Sequence, residues 1–253
     1  MIYLKSNAEI ATMRENGKIL IEVFKKLKGM IKAGITTKDI DTEVESVIYS
    51  HSAVPTFKGY RGFPAATCVA LNEEVVHGIP GAVTLKEGDI IGVDVGVFKN
   101  GFHVDAARTY AVGVISAEAQ RLMNVTRESF FEGVKQAKIG NRISDISAAV
   151  QRHVEAAGFG VVRALFGHGI GRSLHEKPDV PNFGMPGRGP KIRAGMVLAV
   201  EPMVSQSDFR VITKPDGWTV VTKDGKLSAH YENTFAVTKE GPLMLTLEDG
   251  DIY

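Results

Sequence analysis

The chain reads as an α+β protein of two similar halves, with a mainly antiparallel sheet inside and helices outside. Three observations predict this: amphipathic helices precede strands in each half, a tight hairpin signal sits mid-chain, and short motifs recur in the same order. Lys32-Ala33-Gly34, followed by Asp39-Ile40, Val44 and Ile48, recurs as Lys138-Ile139-Gly140 with Asp145-Ile146, Val150 and Val154 at the same offsets. His77-Gly78-Ile79 recurs as His168-Gly169-Ile170. Lys86-Glu87-Gly88 with Ile90-Ile91 and Val93-Asp94 recurs as Arg193-Ala194-Gly195 with Val197-Leu198 and Val200-Glu201. His103-Val104-Asp105 recurs as His230-Tyr231-Glu232. Each match alone is weak, but their shared order indicates an internal repeat. The expected organisation is a single domain over residues 1–253, with halves of about 1–113 and 114–253.

Ser6 with Glu9 reads as a capping box, and Ile10, Met13, Leu20, Ile21, Phe24 and Leu27 continue as a helical stripe. A second helix starts near Thr37 and uses Ile40, Val44, Val47 and Ile48. Strands are expected around 68–71, 90–98 and 102–112. Asn100-Gly101 lies between the last two and is the strongest short hairpin signal. The second half repeats the order, with helices over about 117–137 and 144–157, the latter stopped by Gly158. Further strands are expected near 161–165, 196–204, 218–221, 229–237 and 243–246. The Gly- and Pro-rich stretch 177–191 reads as a loop.

The chain has 253 residues, 44% of them hydrophobic, enough to bury a substantial core. A formal charge of +1 offers no electrostatic case for nucleic acid or a membrane surface. Lone Cys68 excludes an internal disulfide and fits a reducing, cytoplasmic compartment. Residues 1–16 carry Lys5, Glu9, Arg14 and Glu15 and do not read as a signal peptide. No stretch is long and apolar enough for a membrane span.

The chemistry concentrates in Asp94, Asp105, His168, Glu201 and Glu232. With a two-residue loop, Gly96 lies opposite Asp105 and Asp94 opposite Ala107. Asp94 and Asp105 are then diagonal neighbours on one face, with backbones about 7–8 Å apart. Two carboxylates there repel unless a cation sits between them. Ile90, Ile91, Val93, Val95 and Val97 mark the strand as buried, and a buried acid needs a partner. The repeat aligns Asp94 with Glu201 and Asp105 with Glu232, so each half gives two carboxylates to one central site and His168 adds a nitrogen. Four carboxylates and one imidazole suit two divalent cations such as Mn²⁺, Fe²⁺, Co²⁺ or Zn²⁺, and no ligand cysteine marks a structural zinc site. The generic reaction is metal-assisted hydrolysis. No Gly-rich phosphate loop is present. His77 and His175 stand in Gly-containing turns beside these segments, whereas His51 and His153 read as structural.

Asn72-Glu73-Glu74-Val75-Val76-His77-Gly78-Ile79-Pro80, Asp94 with Asp105, His168-Gly169-Ile170-Gly171 with His175-Glu176, Glu201-Pro202 and Tyr231-Glu232-Asn233-Thr234 together resemble methionine aminopeptidases of the type I, bacterial form. The resemblance covers almost the whole chain and implies the pita-bread fold. It implies that Asp94 chelates one metal, that Asp105 and Glu232 bridge both, and that His168 and Glu201 hold the other. Glu201 is then also the proton shuttle, His175 contacts the scissile carbonyl, and His77 sits near the scissile nitrogen. By family position the methionine pocket is Tyr60, Phe63, Cys68, Leu174 and Trp218, with Phe57 nearby. Many relatives have Cys at Phe57, Tyr at Phe63, Phe at Leu174, Gln at His230 and His at Asn233; none of these departures removes a metal ligand. The implied partners are N-termini of nascent polypeptides, at the ribosome exit, with a small residue after methionine, and the implied state is a monomer. The rival readings are a proline-specific aminopeptidase or dipeptidase of the same fold, and a non-catalytic binding paralogue.

Overall fold

The computed structural model describes residues 1–248; residues 249–253, the end of the expected second half, lie outside the described residues. Four long helices form: α1 (Asn7–Met30), α2 (Thr37–Ser50), α3 (Ala117–Val134) and α4 (Ile143–Ala156). Their starts are set by local hydrogen bonds. Ser6 Oγ accepts from the Glu9 amide while the Glu9 carboxylate accepts from the Ser6 amide, and Thr36 and Asp39 do the same for α2. At α4 the Asp145 carboxylate accepts from the Arg142 amide at 2.7 Å. The repeated aspartates, Asp39 and Asp145, are thus equivalent helix caps. The chain enters both helices through a glycine in the same left-handed conformation, Gly34 and Gly140, each at φ 95°.

The central hairpin pairs Ile90–Lys99 with Phe102–Ala111, with Gly96 opposite Asp105 and Asp94 opposite Ala107. Asn100 and Gly101 both have positive φ, 52° and 81°, the geometry a two-residue turn needs to match strand twist. Asn16 of α1, fully buried, closes over this turn and donates to the Lys99 and Phe102 carbonyls at 2.8 and 3.0 Å. Among the described residues the main sheet has nine strands, paired antiparallel throughout. Thr67–Leu71 and Val54–Pro55 lie along the outer side of Ile90–Lys99. Phe102–Ala111 meets Glu232–Thr238 at the seam between halves, and beyond it follow Val197–Val200, Gly167–Gly169 and Glu176–Val180.

Direct backbone pairing at the seam is short, joining Glu232 to Ala107 and Asn233 to Ala106. A threonine hydroxyl continues the ladder on each side. Thr234 Oγ1 accepts from the Asp105 amide at 3.0 Å and donates to the Asp105 carbonyl at 2.8 Å. Thr109 Oγ1 does the same for His230, at 3.0 and 2.9 Å. Helices cover the outside. Met13, Leu20, Leu27, Ile40, Val44 and Ile48 pack on Val93, Val95 and Val97 in the first half. In the second, Phe130 and Ile146 pack on Leu198, Val200 and Phe235.

Several expected strands end early. The run 196–204 breaks at Glu201-Pro202 into Val197–Val200 and Met203–Ser205, and 229–237 breaks at Tyr231 into Ser228–His230 and Glu232–Thr238. Here the chain leaves the main sheet for a separate three-stranded sheet with Gly160–Val161, which is all that forms of 161–165. Pro202 has no amide to continue the ladder. Within 177–191, expected as loop, the residues Glu176–Val180 form a strand against Gly167–Gly169. Val220–Thr222 pairs with Val211–Thr213 and Glu74–Val76 in a third small sheet, and the last strand is Gly241–Met244.

Candidate active site

All five acid and imidazole residues open onto one cavity of about 200 Å³, together with His77, His175, Phe57, Tyr60, Phe63, Cys68, Leu174 and Trp218. Each half positions its share by different means. The hairpin register puts Asp94 and Asp105 on one face, and Asp105 is 4% exposed. In the second half Val200 pairs with Asn233, so Glu201 and Glu232 are the next pair across, at the point where both strands turn away. Asn182 holds this turn by donating to the Glu201 carbonyl at 2.9 Å. His168 sits mid-strand, and its Nδ1 lies 2.9 Å from the Gly169 carbonyl. Donation to that carbonyl leaves Nε2 as a lone-pair donor facing the acids.

Donor atoms of Asp105, His168 and Glu232 lie within 4.8 Å of one another, a group able to hold a metal ion. Glu201 Oε1 is 3.7 Å from His168 Nε2. Asp94 Oδ1, Asp105 Oδ1 and Glu232 Oε1 are buried with no hydrogen-bond partner. Burial raises all four carboxyls, Asp105 to about 7, Glu201 to about 8, and Asp94 and Glu232 well above the ordinary range, with neighbouring acids adding to the rise at Asp94, Glu201 and Glu232. Burial also holds His168 down at about 4, so its imidazole is neutral at pH 7. Orphaned acid oxygens and a neutral imidazole are the donor set a divalent cation requires, so the residues fit a metal.

The rest of the lining is largely apolar, and Cys68 stands directly across the strand pair from Asp94. The Phe63 ring meets the Trp218 ring edge-on at 5.2 Å. Phe57, Phe63, Cys68 and Leu174 are buried. Their backbone is anchored from outside: Asp41 of α2 accepts from the Ala66 and Thr67 amides at 2.9 and 3.2 Å, and Asp216 accepts from the Trp218 and Thr219 amides at 2.8 and 2.9 Å. His175 lines the same cavity. Its ring is 4.3 Å from that of His168, and its Nδ1 is 2.8 Å from Tyr60 Oη. Burial and the flanking His168 lower it to about 3, so it too is neutral. Lys5 and Glu176, a buried ion pair, pin the segment carrying His175, with Glu176 also accepting from the Ser173 amide. His77 follows strand Glu74–Val76 in a left-handed turn at φ 61°. His51 and His153 lie away from the cavity, against Glu22 and Glu128. Sequence reasoning missed Arg61, which also lines the cavity, and Asn182, because a lone arginine or asparagine between glycines and prolines carries no periodic signal.

The model of metallopeptidase family M24 matches residues 11–239. The chain is 57% identical over 247 residues to a methionine aminopeptidase of Clostridium perfringens, covering 98% of this chain and 99% of that one. It superposes with a TM-score of 0.96 on the crystal structure of methionine aminopeptidase from Thermotoga maritima, at 45% identity, covering 98% of this chain and all of that one. A prolidase from Pyrococcus furiosus superposes with a TM-score of 0.78 at 20% identity, covering 97% of this chain and 66% of that one, a likeness of fold alone. The curled antiparallel sheet with paired outer helices is the pita-bread fold. The chain belongs to metallopeptidase family M24, among its methionine aminopeptidases.

Proposed function

We propose that this protein removes the N-terminal methionine from peptides, preferring a small second residue. The observation that carries the reading is that one cavity is lined both by the acid–imidazole cluster and by the apolar, aromatic residues Phe57, Phe63, Cys68, Leu174 and Trp218. A chain end with a free amine and an unbranched apolar side chain matches both parts of the lining at once. The free amine would be taken up at a metal ion those carboxylates hold, and the thioether lies beside the Phe63 and Trp218 rings, contacts that suit a soft sulfur. Asp94, Asp105, His168, Glu201 and Glu232 would hold two divalent ions. When bound, the ions polarise the scissile carbonyl and make a neutral-pH nucleophile from water.

The side chains do the rest. With Tyr60 Oη donating to Nδ1, the His175 proton resides on Nε2, from which it donates to the carbonyl oxygen as charge develops there. Glu201 takes the proton from the attacking water and returns it to the leaving amine. His77, on the cavity wall, sits beside the scissile nitrogen. Leu174, smaller than an aromatic ring, widens the slot edge. The substrates in the cell are nascent-chain N-termini at the ribosome exit, met by a monomer in the cytoplasm; no helix among the described residues is long and apolar enough to cross a membrane. The physiological ion is one of Mn²⁺, Fe²⁺, Co²⁺ or Zn²⁺.

The test is a comparison of Met-Ala-Ser, acetyl-Met-Ala-Ser and Ala-Pro peptides with protein reloaded with Mn²⁺ or Co²⁺. Cleavage of the first alone is expected. Preference for the Xaa-Pro peptide moves the protein to the proline-specific branch, and binding without turnover makes it a non-catalytic paralogue.

A further inference from the structure

Arg61 is the one arginine or lysine among the residues that line the cavity, which it shares with the four carboxylates. Among the described residues no carboxylate forms an ion pair with it; its recorded contact is the face of Tyr60, 5.4 Å from the ring centroid. The neighbouring lysines differ. Lys58 is paired with Glu45, and Lys214 with Glu74. The Arg61 backbone is left-handed, φ 50° and ψ 23°, a conformation that costs a non-glycine residue roughly 1–2 kcal/mol. Glycines at 59 and 62 flank it in the same region, so a glycine at 61 would relax the turn. An unpaired guanidinium is therefore held at the cavity where the local backbone favours a residue with no side chain.

The position of Arg61 relative to the reacting groups defines what it meets. Tyr60, on which it lies, is bonded to His175, the group beside the scissile carbonyl. The methionine side chain occupies the slot of Phe63, Cys68 and Trp218, and the amine faces the acids. Arg61 is exposed and Tyr60 half-buried, so this turn stands at the open side of the cavity, where the rest of the substrate would leave. The other charged residues that line the cavity are carboxylates, so Arg61 is its one fixed cation. Guanidinium is the side chain best suited to a carboxylate by its planar paired donors.

We infer that Arg61 is a specificity residue which selects substrates bearing a carboxylate in the two or three residues after the scissile bond. The inference rests on the aminopeptidase reading above and names the substrate subclass that this chain favours. The contact is solvent-exposed, so its scale is that of a rim ion pair, about two- to fivefold in kcat/KM. It weakens as ionic strength rises.

The experiment uses the metal-loaded full chain and three peptides, Met-Ala-Asp-Ser, Met-Ala-Asn-Ser and Met-Ala-Lys-Ser, with the charge also moved to the fourth position. The wild type should rank Asp over Asn over Lys, with the spread shrinking between about 20 mM and 0.5 M salt. In Arg61→Gln and Arg61→Gly the Asp/Lys ratio should collapse towards one, in Arg61→Glu it should invert, and Arg61→Lys should restore part of it. The change should appear in KM rather than kcat, since the contact is equal in ground and transition states. A merely structural Arg61 would alter all three peptides alike. Cleavage of all three with no charge dependence, or a dependence that survives Arg61→Gln, overturns the inference and leaves the aminopeptidase reading standing. Cleavage of none overturns both.

Discussion

The two halves of this molecule use one scaffold for different ends. Their acids correspond pair by pair, yet Asp94 and Asp105 lie diagonally across a tight hairpin, whereas Glu201 and Glu232 are the next pair after Val200 and Asn233, at strand ends. The first half needs only a two-residue turn between its strands. In the second, residues 202–231 leave the sheet and return, carrying Trp218 to the cavity. The longer Glu side chains reach from the strand ends to the place the shorter Asp side chains reach from mid-strand. The histidines diverge further. His168 is buried within a strand and joins the acid cluster, while its counterpart His77 occupies a left-handed turn on the cavity wall. Repetition builds the metal cluster, and departure from repetition builds the substrate side.

The comparison breaks first at the acids. If Asp105 and Glu232 are equivalent bridging ligands, Asp105→Asn and Glu232→Gln should each release both ions and lower kcat/KM by about 10³-fold or more, the scale of several kcal/mol of lost electrostatic stabilisation. Dialysis against a chelator should do the same, with Mn²⁺, Fe²⁺ or Co²⁺ restoring activity. Metal content measured on each variant decides it. Two ions retained in Glu232→Gln, with one lost in Asp105→Asn, would show the halves unequal at their centre.

The histidines sharpen it. His168→Ala should lower metal content, whereas His77→Ala should keep both ions and lose rate. His175→Ala, with no counterpart in the first-half motif, should lower kcat by roughly 10²–10³ with little change in KM, the cost of one transition-state donor. An effect confined to KM would remove His175 from the reaction.

Much of this was legible in the sequence because it rests on short-range rules. Asn100-Gly101 specifies the hairpin, the register follows, and with it the shared face of Asp94 and Asp105. Ser6 and Glu9 specify a helix start. Long-range choices left no local mark. Glu176–Val180 pairs through its backbone while Lys177 and Asp179 point to solvent, so its pattern reads as loop. Residues 196–204 are apolar on both sides of Glu201-Pro202, so the periodicity alone does not separate two short strands in different sheets from one continuous buried strand. The acids were legible because a carboxylate in an apolar run has no inexpensive structural use, whereas Arg61 in a glycine turn has many.

Proton linkage separates the halves next. In metal-free protein the raised carboxyls bind more protons folded than unfolded, so they reduce stability as pH rises from about 4, through about 7 for Asp105 and about 8 for Glu201. His168, His175 and His230, lowered to about 4, 3 and 3, act with the opposite sign, adding stability as pH rises through 6.5 and progressively less above it. Between 6.5 and 8 the acids, with Asp105 and Glu201 titrating, outweigh this fading contribution. The Tm of metal-free protein should fall across that window, and saturating Mn²⁺ should abolish the fall. Glu201→Gln should make the fall shallower near pH 8, where Glu201 titrates. A Tm that rises from pH 6.5 to 8 without metal would contradict this assignment.

The smallest effect is expected at the seam, where the two threonines do the same backbone work for unlike residues. Thr234 bridges the amide and carbonyl of Asp105, and Thr109 bridges those of His230. Valine keeps the shape of either side chain and removes the hydroxyl. Each replacement leaves a buried amide without a partner, at a cost of roughly 1–3 kcal/mol. For a protein of this size that corresponds to a drop in Tm of about 2–4 °C per kcal/mol. Stability alone should not distinguish the two. Metal affinity should, because Asp105 is placed as a ligand and His230 is not. Loss of a group that orients a ligand typically weakens metal binding by about 10–100-fold. Thr234→Val should therefore bind Mn²⁺ or Co²⁺ more weakly by a factor in that range, while Thr109→Val binds as the parent does. Equal affinities in the two variants, at equal loss of Tm, would mean that the seam carries only stability and that the position of Asp105 is set by the hairpin of the first half alone.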